Sequence, residues 1–353
     1  MLSFEELRML DKLYLINMPD IMPLEIISDL FKDNKSEDLN TKEVVKIASK
    51  FSYIHPRINV DHISLIISSL LGDDYMNVYK PVLKSSKIFP VDNGGYGVLI
   101  DEHPDNLRMQ RWAKGDITEQ DIDLAKEWRK MIKNNNISEV LKEVRDKGVM
   151  CTKFQSISDV ITEMNSFLCI SQLQEFLIEN LILSLSIQRE IQIKIKNNWR
   201  NIGKKLLREF APYAYFNTLL DVTYAFCANS HLCGLKKTDL CDLLYMRYLP
   251  FSNIFCSNDK FHKELVPHFL TEKQTFVTGD DLKMDLSNTI DYYKTKPDFN
   301  QAHLTDFSML QPPRLDGSFT YKMWRKYLPN MCNKLDDFLY EIRESQKYQN
   351  PSS

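Results

Sequence analysis

The stretch KTDLCDLLYMRYLPFSNIFCSNDKFHKEL, residues 237–265, decides the prediction of the fold and of the site. Asp239 and Asp242 stand three residues apart, so on a helix both carboxylates face the same way. The apolar run at 253–256 predicts a short strand, of the kind that is buried inside a parallel sheet. Asp259 follows this strand by three residues. The stretch therefore predicts a helix that carries two acids and a strand that is followed by a third.

These acids are expected to converge, because residues that follow the strands of an open α/β sheet line a crevice at the carboxyl edge of the sheet. Converging carboxylates repel each other, which raises their pKa unless a cation neutralises them. Mg²⁺ and Mn²⁺ suit such a site, since both ions prefer carboxylate oxygens and water. Ions held in this way activate water and stabilise the oxygens of a phosphodiester under hydrolysis. The chain has no G-x-S-x-G, P-loop or G-x-G-x-x-G motif that would favour another chemistry.

The composition is that of a globular chain with one large domain or two smaller ones. It has 353 residues, 43 % of them hydrophobic, and a formal net charge of −3, so any affinity for nucleic acid must come from a local basic surface. No apolar run approaches the roughly 20 residues of a membrane span, and Glu5 and Glu6 argue against a signal peptide. The seven cysteines are an odd number, which predicts reduced thiols and a cytoplasmic location without a membrane. The spacing of Cys227, Cys233 and Cys241 lacks the C-x2-C knuckle of a structural zinc site, so we expect them to be small buried side chains.

Helical patterns dominate the middle of the chain. The exception lies near residues 85–101, where the turn sequence Asp-Asn-Gly-Gly at 92–95 predicts a β-hairpin. A final helix is predicted around residues 335–342.

Two motifs resemble the PIN-like nuclease domain family. The first is D-x-x-D-L-L-Y, followed by Y-L-P-F-x-x-I-F-x-S-N-D-K, in the stretch quoted above, and the second is MPDIMPLEIISDLFK at residues 18–32. The resemblance implies an α/β fold with a small, mainly parallel sheet. On this interpretation, residues 1–35 and 218–300 form a discontinuous α/β domain. Residues 36–217 would be a large helical insertion that includes the hairpin, and residues 301–353 would pack on the domain.

The resemblance also implies a site, because the family holds Mg²⁺ or Mn²⁺ with four acids and mostly cleaves RNA. Its second acid corresponds to Asp29, with Glu25 as the fallback. The third corresponds to Asp242, with Asp239 as an assisting neighbour, and the fourth to Asp259. The first acid has no counterpart, since a helix begins within four residues of Met1 and no strand with a following Asp precedes it. Either the chain begins late or the site lacks that carboxylate.

Structural roles are the alternative for the same acids. Asp239 can cap a helix, and Asp259 can belong to an Asn-Asp turn after a strand. Asp29 and Asp242 can lie on solvated helix faces, and Glu25 suits a helix N-terminus through the helix dipole alone.

Basic residues in two regions predict contacts with nucleic acid. Cations bind phosphates and aromatic rings stack on bases, and one predicted region combines both features. The predicted nucleic-acid-binding residues are Arg200, Lys204, Lys205 and Trp199 in one region, and Lys237, Lys260 and Lys263 beside the acids. Lys236 flanks the acids as well, and these lysines equally offset the negative charge of the cluster. Charged helix faces that are simply solvated are the alternative.

The sequence thus predicts a metal-dependent nuclease, an endoribonuclease in the first instance, that uses Asp29, Asp242, Asp259 and Asp239. RNA is the expected substrate, with DNA as the other choice, and a regulatory protein partner is compatible with the helical insertion. Two alternatives stay open: a catalytically inactive relative that serves as an RNA-binding or protein-interaction module, and a helical structural component with no site. The sequence does not predict the oligomeric state.

Overall fold

Helices dominate the part of the chain that the structure describes. The structure is a computed structural model that describes residues 2–32, 36–51, 54, 57–73, 76–77, 82, 86–90, 96–100, 104–134, 139, 142, 146, 152–234, 236–295, 312–330 and 332. For the strands at 86–90 and 96–100 it describes the backbone. The helix predicted at 335–342 lies outside these residues.

α-Helices account for most of the described residues in the first half of the chain. They are α1 Phe4–Leu13, α2 Met22–Ser28, α3 Glu37–Phe51, α4 His62–Leu71, α5 Pro104–Ala113, α6 Glu119–Asn134 and α7 Ile157–Leu168.

The helices of the second half include those that carry the candidate site. They are α8 Gln174–Ser184, α9 Arg189–Asn201, α10 Leu207–Phe210, α11 Pro212–Asn229, α12 Asp239–Met246, α13 Lys260–Leu265, α14 Gly279–Lys294 and α15 Phe319–Tyr327.

The strands are short and pair only in twos within the described residues. They are β1 Asn17–Met18, β2 Arg57–Ile58, β3 Ser86–Pro90, β4 Tyr96–Ile100, β5 Ile254–Cys256 and β6 Thr275–Val277. β1 pairs with β2 in parallel, with Met18 opposite Ile58. β3 and β4 form an antiparallel hairpin, which confirms the hairpin predicted near residues 85–101. β5 pairs with β6.

The predicted α/β fold with a sheet core of PIN-like type is wrong. The described residues form a mostly helical protein with two-stranded sheets, and none of these sheets is the core of a layered domain. The physical reason is visible in β5, which was predicted as a strand buried on both faces. Its residues are half-buried, half-buried and exposed in turn, so it lies at the surface.

The described chain splits into two compact units. One unit comprises Met1–Leu15 and Val277–Ser353, and the other comprises Ile16–Phe276. This grouping reflects packing alone, and the domain boundaries given in the sequence analysis remain a prediction.

The first unit is built on α1, α14 and α15. A capping box begins α1, in which Ser3 and Glu6 bond to each other's backbone N–H groups. The buried carboxylate of Asp285 on α14 accepts hydrogen bonds from the backbone N–H groups of Phe319 (2.7 Å) and Thr320 (2.9 Å), which fixes the start of α15. The indole N–H of Trp324, a buried residue of α15, donates to the Leu13 carbonyl oxygen at 2.9 Å.

The second unit has three main hydrophobic clusters. One lies between α4 and α7–α11, around Leu70, Ile178 and Ile195. Another joins α2, α3, α5 and α6 around Trp112. The third lies under the candidate site and packs α11, α12 and α13 together through buried side chains, which are Leu220, Tyr224, Leu243, Met246, Leu249, Phe261, Leu265 and Val266.

Among the described helices, none is both long enough and apolar enough to cross a bilayer.

Candidate functional site

The third cluster sets the position of the acids on α12. Leu243 and Met246 are buried against α11 and α13, so the helix has an inner face and an outer face. Asp242 lies beside this core and is half-buried. Burying each of the two apolar side chains contributes about 1.5–3 kcal/mol, which holds the orientation of the helix.

A buried histidine fixes the turn after β5 to α12. His262 is 5 % exposed, and its Nε2–H donates to the backbone carbonyl oxygen of Asp242 at 2.8 Å. Since a carbonyl can only accept, the other ring nitrogen, Nδ1, is the acceptor of a neutral imidazole. It lies 2.8 Å from the Ser257 hydroxyl, which donates to it. Burial lowers the pKa of His262, which favours this neutral form.

The same serine reaches the third acid. The backbone N–H of Asp259 donates to the Ser257 hydroxyl oxygen at 3.0 Å. Asp259, Ser257, His262 and Asp242 are therefore linked by a continuous set of hydrogen bonds, which we call the histidine clamp. Because it uses the backbone of both acids, the clamp sets their spacing while leaving both carboxylates outside it.

The clamp brings potential metal ligands together. One ligand atom from each of Asp242, Asp259 and His262 lies within 4.8 Å of the other two. The Asp259 carboxylate also accepts the Phe261 N–H at 2.7 Å as the N-cap of α13. A carboxylate has lone pairs beyond the one used in this bond, so capping and ligation are compatible.

The electrostatics of Asp242 are those of a crowded carboxylate. Burial and, after it, the negative charges of Asp259, Glu25 and Asp239 together raise its pKa to about 7, while the charge of Lys236 opposes the shift. A proton can satisfy such a group near neutral pH, and so can a divalent cation.

Asp239 begins α12 beneath a close turn of the chain. It is 4 % exposed, and its carboxylate accepts the backbone N–H of Lys236 at 2.9 Å. A Cβ added to Gly234 would lie 3.3 Å from that carboxylate, so a glycine allows this close approach. Burial raises the pKa of Asp239, and Asp259 raises it too, whereas the hydrogen bond and the charge of Lys236 lower it.

The structure brings Glu25 towards this cluster and turns Asp29 elsewhere. The Tyr245 hydroxyl on α12 donates to the Glu25 carboxylate, and burial raises the pKa of Glu25. Asp29 instead pairs with Lys32 at 2.6 Å and lies 3.8 Å from Arg129. Asp29, expected from the resemblance as the second acid, is thus not among the charges that raise the pKa of Asp242.

The basic region on α9 does not present its aromatic ring to solvent. Trp199 is 4 % exposed, and its indole N–H donates to the Lys205 carbonyl oxygen at 2.7 Å. The Lys204 ammonium lies 5.5 Å from the centre of the Trp199 ring and 3.8 Å from Glu175. Arg200 is exposed. The predicted stacking of bases on Trp199 would require this ring to leave its buried position.

The predicted cations beside the acids differ in their contacts. The Lys237 ammonium donates to the Lys133 carbonyl oxygen at 2.7 Å. Lys260 pairs with Glu264 at 3.5 Å. Lys263 is exposed on α13.

The sequence places two further residues beside the acids, but it does not predict the contacts that they make. The position of His262 after a turn predicts a surface histidine, with a proton shuttle as the alternative, whereas the structure buries this residue and bonds its two nitrogens to Ser257 and to the backbone of Asp242. Lys236 is one of the four lysines that flank the acids in the sequence, and its backbone bond to Asp239 was not predicted. The nearby Gly234 was the available signal that the chain approaches this acid closely.

No protein-family model matches the chain, and no curated protein or solved structure matches it either. The resemblance to PIN-like nucleases therefore stays a prediction, while the fold that it implied is not the one observed.

Proposed function

We propose that this protein is a nuclease that uses a divalent cation to hydrolyse phosphodiesters, with RNA as the substrate. The observation that supports the proposal is the gathering of Asp242, Asp259 and His262 ligand atoms within 4.8 Å, surrounded by further carboxylates. Carboxylates gathered in this way suit hard divalent cations, and such cations are the usual means of phosphodiester hydrolysis without a protein nucleophile.

The donor set fits Mg²⁺ or Mn²⁺. Both nitrogens of His262 already have partners, so the atoms open to an ion are oxygens of Asp242 and Asp259. Mg²⁺ and Mn²⁺ favour oxygen ligands and retain several waters, whereas zinc sites typically use nitrogen and sulfur. Asp242 and Asp259 would hold the ion, and Glu25 and Asp239 would add negative charge around it.

When bound, such an ion polarises the phosphoryl group and lowers the pKa of a coordinated water. The residues of the chain would contribute by holding the carboxylates in place around the ion. The histidine clamp keeps Asp242 and Asp259 at one spacing, and Tyr245 holds the Glu25 carboxylate. Asp242 must lose its proton before it can act as an anionic ligand, so the site is expected to bind its cation better above pH 7 than below it.

The test is cleavage of single-stranded RNA in Mn²⁺, Mg²⁺ or EDTA. We expect wild-type protein to cleave only with a divalent ion, and Asp242→Asn and Asp259→Asn to lose at least about a hundredfold in rate. Asparagine keeps the shape of both side chains and remains a good N-cap at position 259. Asp29→Asn is the matched control, because this acid faces Lys32 and Arg129.

Two results would contradict the proposal. One is a wild-type protein that is inert with both ions, and the other is an Asp242→Asn variant that cleaves as fast as wild type. Mn²⁺ should also raise the melting temperature of wild type and of Asp29→Asn more than that of Asp242→Asn.

A second candidate is a module that binds RNA or a protein partner without catalysis. It is supported by the fact that two of the carboxylates already stabilise the backbone, Asp239 through the Lys236 N–H and Asp259 through the Phe261 N–H. Under this candidate, RNA or partner binding persists in Asp242→Asn, and Mn²⁺ changes no melting temperature. The cytoplasmic location and a regulatory partner remain predictions of the sequence.

A further inference from the structure

The acids of the candidate site carry more negative charge than one bound divalent cation would neutralise. Glu25, Asp239 and Asp259 all act on Asp242, so four acids surround the place where a negatively charged phosphodiester must approach. Electrostatic repulsion of a phosphate by like charges slows its association and weakens its binding. A positive side chain beside the acids would offset this repulsion.

Most of the neighbouring cations are engaged elsewhere. Lys263 is exposed on α13, but it is not among the charges that act on Glu25, Asp239 or Asp242. The others have partners in the described residues: Lys32 and Arg129 face Asp29, Lys237 bonds to the Lys133 carbonyl, and Lys260 pairs with Glu264.

Lys236 differs from all of these. Its positive charge acts on both Asp239 and Asp242. Its backbone N–H is bonded to the Asp239 carboxylate, and the close approach of Gly234 to the same carboxylate holds this turn against the acid. The residue itself is exposed. The backbone is thus fixed beside the acids while the ammonium group can reach a ligand in solvent.

We propose that Lys236 contacts the phosphate of the RNA substrate, beside the carboxylates that would hold the cation. The inference rests on the proposed function and adds the residue that makes the site accept an anion. A lysine ammonium is a compact point charge on a flexible stem, which suits a phosphate oxygen whose position shifts between substrates.

The test is binding of a short fluorescein-labelled single-stranded RNA, followed by fluorescence anisotropy over a series of salt concentrations. Ca²⁺ replaces Mn²⁺ so that binding is measured apart from hydrolysis, and a gel checks that the probe stays intact. We expect Lys236→Met to weaken binding about tenfold, and to lower the slope of log K against log salt by about one, as the loss of one phosphate contact should. Lys114→Met is the control, because Lys114 is an exposed lysine after α5 and its loss changes the net charge equally.

The outcomes separate this inference from the proposed function. If Lys236→Met binds RNA as Lys114→Met does, or if the wild type binds none, Lys236 is not a phosphate contact. If Lys236→Met weakens binding but the wild type cleaves nothing in Mn²⁺, the phosphate contact stands and hydrolysis fails. If Lys236 only offsets the charge of the acids, the Lys236→Met variant should bind Mn²⁺ more tightly than wild type and bind RNA equally well. That result would also overturn the inference. Since methionine retains the backbone N–H bonded to Asp239, the variant is expected to fold, and circular dichroism checks this.

Discussion

Removing the charge of Asp242 should stabilise the protein at high pH. In the folded state the pKa of this carboxyl is raised from 3.8 to about 7, so the folded protein holds the proton more tightly than the unfolded chain does. The stability that this proton provides is complete below about pH 4, and it is lost as the pH rises through 7. Above that range wild-type protein carries the full cost of a crowded charge, whereas Asp242→Asn does not.

The size of the effect follows from the shift. About three units correspond to about 4 kcal/mol at 1.36 kcal/mol per unit. Since the side chain is only half-buried, solvent screens part of the repulsion, and we expect about 2 kcal/mol. This corresponds to a rise in melting temperature of about 4 °C for a unit of this size.

The assay is urea unfolding of wild type and Asp242→Asn in EDTA at pH 5 and pH 8. The variant should gain about 2 kcal/mol over wild type at pH 8, and the gain at pH 5 should be about half as large. Saturating Mn²⁺ should reverse the order at pH 8, because only the wild type keeps the ligand. An equal difference at both pH values, or a variant that is less stable at pH 8 in EDTA, would refute the assignment of a crowded carboxylate.

Three further predictions concern two other residues of the candidate site and one residue of the first unit. His262→Leu fills the buried position with an apolar side chain but removes both hydrogen bonds that the ring makes. The free energy of unfolding in urea should fall by about 2–4 kcal/mol, and a fall below about 1 kcal/mol would count against the clamp. Glu25→Gln removes one of the negative charges that raise the pKa of Asp242. Calorimetry should therefore show the pH midpoint of Mn²⁺ binding at a lower pH than in wild type, and an unchanged midpoint would show that the two acids do not interact. Asp285→Asn replaces the carboxylate that accepts hydrogen bonds from the backbone N–H groups at the start of α15. Amide hydrogen exchange in α15 should become faster by an amount equivalent to about 1–3 kcal/mol, and unchanged exchange would contradict the anchoring role of Asp285.

Local patterns in the sequence predicted the elements that carry the site. The spacing of Asp239 and Asp242 depends only on helical periodicity, and the structure has both acids on α12. The turn after β5 does place Asp259 near Asp242, although the parallel sheet core from which we expected their convergence is not found in the described residues. These features depend on residues that are close in the chain, where steric rules act directly.

The parts that failed depend on packing between distant segments. An apolar run of three or four residues has the same sequence pattern in a strand buried within a sheet and in a surface strand such as β5. Which of the two forms depends on the segments that pack against the run. Glu25 and Asp29 stand one turn apart, and the sequence favours neither. Tyr245 on a helix over two hundred residues away engages one of them, and Arg129 on α6 faces the other.

The histidine clamp has a consequence for how such a site can change over generations. Its bonds run through main-chain groups, a hydroxyl and a neutral ring, so the scaffold does not require the charges it positions. A lineage could replace Asp242 with a neutral residue, abandon hydrolysis and keep the same shape, and a single later substitution could restore the chemistry. Loss and recovery of activity would then be separable from the inheritance of the fold.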